Sequence, residues 1–104
     1  MYYPNGDRYE GDFKNDKREG KGIFYYNNGR YEGDWKNGKK EGKGIFYYNS
    51  GNRYEGDWKN DKRTGKGIVY FNNGNRRMGD YLNDKPIGKH VTLKINGEVI
   101  VNNY

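Results

Sequence analysis

Tyr31-Glu32-Gly33-Asp34-Trp35-Lys36-Asn37-Gly38-Lys39-Lys40-Glu41-Gly42-Lys43-Gly44-Ile45-Phe46-Tyr47-Tyr48 decides the reading of this chain, because most of the remainder copies it. The stretch recurs from Tyr9 to Tyr26 and from Tyr54 to Phe71, and a worn version runs from Arg77 to Lys94. The copies start at Tyr9, Tyr31, Tyr54 and Arg77, which are 22, 23 and 23 residues apart. A fixed period of this size marks a stacked repeat. The array divides into a partial repeat at 1–8, full repeats at 9–30, 31–53 and 54–76, a degenerate fourth at 77–99 and a capping strand at 100–104. The partial repeat is recognised from Tyr2-Tyr3-Pro4-Asn5-Gly6-Asp7-Arg8, which aligns with Tyr47-Tyr48-Asn49-Ser50-Gly51-Asn52-Arg53. A chain that begins midway through its own motif reads as a piece of a longer array.

The 104 residues are only 31% hydrophobic and 33% charged, averages that border on those of disordered chains. The 17% aromatic content compensates, because each Tyr or Trp buries a large area while its polar tip stays wet. The 12 tyrosines are therefore expected to carry the core. No cysteine is present, which excludes disulfides and thiolate chemistry and fits a reducing compartment. No apolar run approaches a bilayer span, and no N-terminal segment has a signal peptide's apolar centre, so the chain reads as soluble and cytoplasmic.

Alanine is absent, leucine occurs only as Leu82 and Leu93, and glycines are spread throughout, so no window sustains a helix. Period-two alternation between turn residues predicts an all-β chain, an elongated single-layer antiparallel sheet of tandem hairpins. Asn15-Asp16, Asn37-Gly38, Asn60-Asp61 and Asn83-Asp84 accept the positive φ of tight hairpin turns. The second connection is expected at Asn28-Gly29, lengthening to three residues with a bulge at Ser50-Gly51-Asn52 and Asn73-Gly74-Asn75. Pairing outward from Asn37-Gly38 puts Trp35 opposite Lys40, Gly33 opposite Gly42 and Tyr31 opposite Gly44. Pairing around Asn28-Gly29 puts Tyr26 beside Tyr31, Phe24 beside Gly33 and Gly22 beside Trp35.

One face then collects Tyr31, Gly33, Trp35, Gly42, Gly44, Phe46 and Tyr48, with each ring lying flat over a glycine. The other face carries Glu32, Asp34, Lys36, Lys39, Glu41, Lys43, Ile45 and Tyr47, with cross-strand pairs such as Glu32 with Lys43. Near the C-terminus a three-residue loop at the Asn96-Gly97-Glu98 turn places Val91, Leu93, Ile95, Val99 and Val101 together, a cap or a docking patch.

The Tyr-Glu-Gly-Asp-Trp motif, followed about ten residues on by Gly-Lys-Gly-Ile-Phe-Tyr-Tyr, resembles the MORN (membrane occupation and recognition nexus) repeat over almost the whole chain. The resemblance implies a MORN-repeat ribbon, an open solenoid-like β array. It also implies a binding role, since such arrays accompany lipid kinases, junctional membrane proteins, methyltransferases and ciliary or cytoskeletal scaffolds. Cytoskeletal, ciliary or membrane-associated locations and extended or dimeric assembly follow as expectations.

The acidic pairs repeat at the period of the sheet, with basic neighbours and no nucleophile–base pair, so no catalytic residue is proposed. No metal site and no cofactor are expected. Gly42-Lys43-Gly44 lacks the further glycine and the helix of a phosphate-cradling loop, and His90 has no second ligand nearby. The leading expectation is a protein-interaction scaffold whose aromatic face forms a groove for an extended or helical segment, anchored by Tyr31, Trp35, Phe46, Tyr48, Tyr54, Trp58, Tyr70 and Phe71. The alternative is binding to acidic membrane lipids through Lys17, Arg18, Lys39, Lys40, Lys62, Arg63, Arg76 and Arg77 on a rim of hairpin ends. Nucleic acid is disfavoured, because the rings share a face with glycines and most charges lie elsewhere. Unpaired strands at both ends of the sheet invite a homodimer or end-to-end association.

Overall fold

Seven non-glycine residues have positive φ, and all lie in the four tight turns: Asn15, Asp16, Asn37, Asn60, Asp61, Asn83 and Asp84, between 50° and 71°. These are the turns read from the sequence, and their twist matches that of the strands they join. In the computed structural model, which describes residues 1–104, they connect the strands of successive hairpins. The strands are β1 (Arg8–Lys14), β2 (Lys17–Tyr26), β3 (Gly29–Lys36), β4 (Lys39–Tyr48), β5 (Arg53–Lys59), β6 (Lys62–Tyr70), β7 (Arg76–Leu82), β8 (Lys85–Leu93) and β9 (Val99–Asn103). They form one open antiparallel sheet in sequence order, with extents of 47 × 23 × 19 Å. The all-β ribbon is as expected. The closing strand, Val99–Asn103, spans the point at which the sequence reading separated the fourth repeat from its cap.

The register differs by two residues from the simple reading. Trp35 does lie opposite Lys40, but Gly33 then meets Gly44 and Tyr31 meets Phe46. Between these pairs β4 contributes Glu41, Gly42 and Lys43 against Asp34 alone, a bulge that returns in every hairpin. Its glycine is Gly20, Gly42, Gly65 or Gly88, with φ of 75°, 88°, 62° and 68°. A side chain there would be strained, so the first glycine of each Gly-Lys-Gly serves the bulge. Because the slip is even, the side chains from Tyr31 to Tyr48 stay on their expected faces.

The second connection slips likewise. Tyr26 meets Gly29, Phe24 meets Tyr31 and Gly22 meets Gly33, so Asn27 and Asn28 form the loop. Gly29 belongs to the strand, where a side chain would collide with the Tyr47 carbonyl and crowd the Phe46 ring at 3.0 Å. The longer loops close between Tyr48 and Asn52 and between Phe71 and Asn75, with Gly51 and Gly74 both at φ 95°. The three-residue reading therefore holds, one residue upstream of its expected place.

These slips replace ring opposite glycine by glycine opposite glycine. Gly11, Gly22, Gly33, Gly44, Gly56, Gly67 and Gly79 form an unbroken row across seven strands. Rings meet rings in the row beside it, and each tyrosine reaches the glycines diagonally. A methyl group on Gly22, Gly44 or Gly67 would collide with the phenol of Tyr9, Tyr31 or Tyr54. The Tyr9 and Tyr31 hydroxyls cross the glycine row to donate to the carbonyls of Asp12 and Asp34, at 2.9 and 3.1 Å.

On the charged face Glu32 is opposite Ile45, so the Glu32–Lys43 pair does not form. Glu32 pairs with Arg30 at 3.1 Å, while Lys21 pairs with Asp34 and Lys43 with Asp57. Val91, Leu93, Val99 and Val101 share this face, as expected, while Ile95 lies in the closing loop.

Gly44→Ala is expected to lower stability by about 1–3 kcal/mol, because the added methyl enters the space of the Tyr31 ring. Urea denaturation reads this out, and an unchanged midpoint would show that the ring moves aside at no cost.

Candidate functional site

The aromatic face holds the core, and its rings are ordered as a ladder. Phe13, Tyr9, Trp35, Tyr31, Trp58, Tyr54, Tyr81, His90 and Tyr104 follow one another edge to face, with centroids 4.9–5.4 Å apart and interplanar angles of 79–87°. This geometry places the positive edge of one ring against the negative face of the next. The indole nitrogens of Trp35 and Trp58 donate to the carbonyls of Gly22 and Gly44 at 3.2 Å, which fixes both rings over the glycine row.

A second row runs alongside: Tyr3, Phe24, Tyr26, Phe46 and Tyr48, with centroids 4.3–5.6 Å apart. Phe24 and Phe46 are buried, whereas Tyr3, Tyr26, Tyr48 and, one repeat on, Phe71 are half-buried. Tyr26 and Tyr48 flank a depression of about 200 Å³ at the long-loop end of the strands.

Three cations fold back over the rings. The Arg18 guanidinium stands 4.7 Å from Trp35 and 4.9 Å from Phe24, and donates to the Gly38 carbonyl at 2.6 Å. The Lys40 ammonium lies 5.1–6.0 Å from Tyr26, Trp58, Tyr31 and Phe46, and burial pushes its pKa down. Arg63 sits 4.9 Å from Tyr81 and donates to the Asp84 carbonyl at 2.6 Å. Such contacts stabilise by about 0.5–2 kcal/mol each.

Five of the eight residues expected to anchor a partner are thus core: Tyr31, Trp35, Phe46, Tyr54 and Trp58 are at most 8% exposed. Tyr48 and Phe71 remain half-buried on the aromatic face. Tyr70 lies on the other face, under the Arg53 guanidinium at 4.0 Å, just as Tyr25 and Tyr47 lie under Arg8 and Arg30. It belongs with Tyr47 by position in the motif, and its alternation with Phe71 carried that information.

The expected basic rim also divides. Lys17, Lys39 and Lys62 are exposed at the tight turns, but Arg18, Lys40 and Arg63 are the cations folded inward. Arg76 and Arg77 begin β7, at the opposite end of the strands from those turns. Arg77 further turns inward, donating to the Tyr81 hydroxyl at 3.3 Å. No group of three or more His, Asp or Glu is arranged to hold a metal ion.

Sequence reasoning passed over Tyr3 and Tyr26, although they hold the motif position of Tyr48. It also passed over Tyr104, whose backbone exchanges hydrogen bonds with Gly88, placing it where Trp58 and Tyr81 stand in their strands. Only the terminal aromatic of Val99-Ile100-Val101-Asn102-Asn103-Tyr104 marked it as a copy of Arg53-Tyr54-Glu55-Gly56-Asp57-Trp58.

His90 replaces a row glycine and is fully buried. Its imidazole covers Gly79, and its Nε2 lies 2.8 Å from the Asp80 carbonyl, the contact that Tyr31 makes with Asp34. Arg77 stands where the tyrosine should be. The fourth repeat has therefore exchanged the strands that supply ring and space, keeping the ladder continuous.

His90→Gly is expected to cost about 2 kcal/mol or more, the penalty of an unfilled core site. Adding Arg77→Tyr should recover most of that loss by restoring the arrangement of Tyr31 over Gly44; thermal melts of both variants test the exchange. A second expectation concerns alkaline pH. Burial raises the Tyr26 pKa to about 12 and pushes Tyr31 and Tyr54 up as well. An unfolded tyrosine ionises near pH ~10, so this stabilisation is complete below pH ~10 and is lost as the pH climbs towards about 12. Melting temperatures should fall across that window, less steeply for Tyr26→Phe.

Comparison with known proteins bears on the ladder from Phe13 to Tyr54. The MORN repeat matches at residues 9–29, 31–53 and 54–76, which are the three complete copies of the motif, the first ending one residue before the boundary read from spacing. No curated protein matches the chain. The matched stretches cover well over half of the residues and contain the bulge, six of the seven row glycines and the ring pairs from Tyr9 to Trp58, so the chain belongs to the MORN repeat family.

Proposed function

We propose that this chain is a non-catalytic scaffold module that binds a helical segment of a protein partner along the half-buried row Tyr3, Tyr26, Tyr48 and Phe71. Membership of a repeat family often involved in binding fits that role. The observation that carries the proposal is the division of the aromatic face. One set of rings is consumed by the ladder, while another leaves one partly open ring per repeat. Tyrosines so placed offer area at small entropic cost, because their neighbours already hold them.

The spacing favours a helix over an extended strand. Successive open rings are two strands apart, about 9.6 Å at the usual strand separation. A helix presents residues i and i+7 on one face about 10.5 Å apart. An extended segment covers the same step in about three residues, and its third residue points the other way. The ribbon's 47 Å length accommodates several such steps. Trp35 and Trp58 are unsuitable as test positions, because both are core.

Peptides selected for binding from a displayed helical library are expected to carry apolar residues at heptad spacing. They should bind Tyr26→Ser/Tyr48→Ser at least about tenfold more weakly, as loss of two anchor rings implies. Equal affinity for a folded double variant would refute this use of the face.

A further inference from the structure

On the charged face the same arrangement of side chains surrounds the glycine row in each repeat. Across β1–β3 it consists of Glu10, Lys21, Ile23, Glu32 and Asp34, and across β3–β5 of Glu32, Lys43, Ile45, Glu55 and Asp57. In both, the lysine closes onto the aspartate opposite it, as Lys21 with Asp34 and Lys43 with Asp57. The glutamates are held by arginines two residues earlier, in the pairs Arg8–Glu10, Arg30–Glu32 and Arg53–Glu55 at 3.1–3.3 Å. Neither arrangement encloses a depression.

The third arrangement, across β5–β7, differs in one residue: Met78 stands where the others have a glutamate. Lys66 and Asp80 lie opposite one another yet form no ion pair, and Arg76, deprived of its glutamate, forms none either. Here a depression of about 530 Å³ opens. Its floor is the backbone of Gly56, Gly67 and Gly79, its apolar walls are Ile68 and Met78, and Glu55, Lys66 and Asp80 stand at its rim.

The floor selects a flat apolar body. On the aromatic face the rings of Tyr54 and His90 already lie against Gly67 and Gly79, so the row offers a second ring the same side-chain-free surface from the other side. The volume falls within the range of about 300–1,000 Å³ usual for small-molecule sites. The charges select an anion. Arg53 already holds Glu55, which leaves the two unpaired cations Lys66 and Arg76 against the one unpaired carboxylate of Asp80. Each earlier repeat also shows where a carboxylate rests beside the row, on the arginine two residues before the glutamate, and Met78 withdraws that carboxylate from Arg76.

We infer that this depression is a binding site for a small planar aromatic carboxylate. Its rings lie on the glycine floor between Ile68 and Met78, and its carboxylate accepts from the Arg76 guanidinium in place of the missing glutamate, with Lys66 adding positive charge. The site lies on the face opposite Tyr26 and Tyr48, so it succeeds or fails separately from the helix-binding row.

Fluorescence titration of the full chain with naphthoate, and with naphthalenemethanol as its uncharged analogue, tests the site. Met78→Glu restores the residue of the three earlier repeats, so the fold is preserved while Arg76 regains a carboxylate and the apolar wall is lost. Naphthoate is expected to bind, the alcohol at least about tenfold more weakly, and Met78→Glu should weaken naphthoate by at least about tenfold, the value of a charge-assisted hydrogen bond. Arg76→Gln should lower naphthoate to the affinity of the alcohol and leave the alcohol unchanged, whereas Tyr26→Ser/Tyr48→Ser should leave both unchanged. Failure of naphthoate to bind, equal binding by wild type and Met78→Glu, or equal binding of naphthoate and the alcohol by wild type overturns the proposal. Loss of naphthoate binding in Tyr26→Ser/Tyr48→Ser overturns it as well, because the probe would then sit on the aromatic face.

Discussion

A sheet with no second layer must cover its own core, and here the edge-to-face contact between aromatic rings does so. Tyr9, Tyr31 and Tyr54 each lie between two other rings and above two backbones that carry no side chain, so they are sealed without a helix or a facing sheet. The glycine row is the other half of this constraint. Any side chain there would lift the ring and open the core to water. At Tyr9 and Tyr31 tyrosine suits the site better than phenylalanine, because its hydroxyl donates to the Asp12 or Asp34 carbonyl opposite the bulge.

Once the ladder is continuous, the rest of the repeat is free to differ. The cation folded over the rings is Arg18, Lys40 or Arg63, and the fourth repeat has Pro86 at that position. The position of Phe24 and Phe46 is taken by Val69 in the third repeat. Where the ladder itself is threatened, at Arg77, a compensating His90 appears on the facing strand. The edge-to-face ladder therefore constrains these sequences more tightly than charge or hydropathy. Burial of tyrosines among tyrosines also accounts for how a chain with 33% charged residues folds at all.

The same economy separates structure from recognition. Rings in the ladder are spent on folding, whereas rings one position further along the strand, and the lysines at the tight turns, stay partly or wholly open to solvent. Departures from the repeat are then the places to look for specific binding. Met78 replaces the glutamate held by the three earlier copies at Glu10, Glu32 and Glu55, and Lys66 stands opposite Asp80 without closing onto it. Neither change touches the ladder.

The repeat, the strand count of each copy, the tight turns and the two faces were all legible in the sequence, because turn chemistry and period-two alternation are local. Registers were not. Gly42 looked like packing space and proved to be the hinge of a bulge, and Gly29 looked like a turn and proved to be a strand residue beneath Phe46. Both errors were even slips, so they left the faces right and the neighbours wrong. Which rings were buried, which lysines turned inward and which ion pair was left open all depend on neighbours. Composition and spacing fixed what the strands would be, whereas contacts between strands, set by bulges whose extra residues no alternation pattern reveals, decided what remains available for binding.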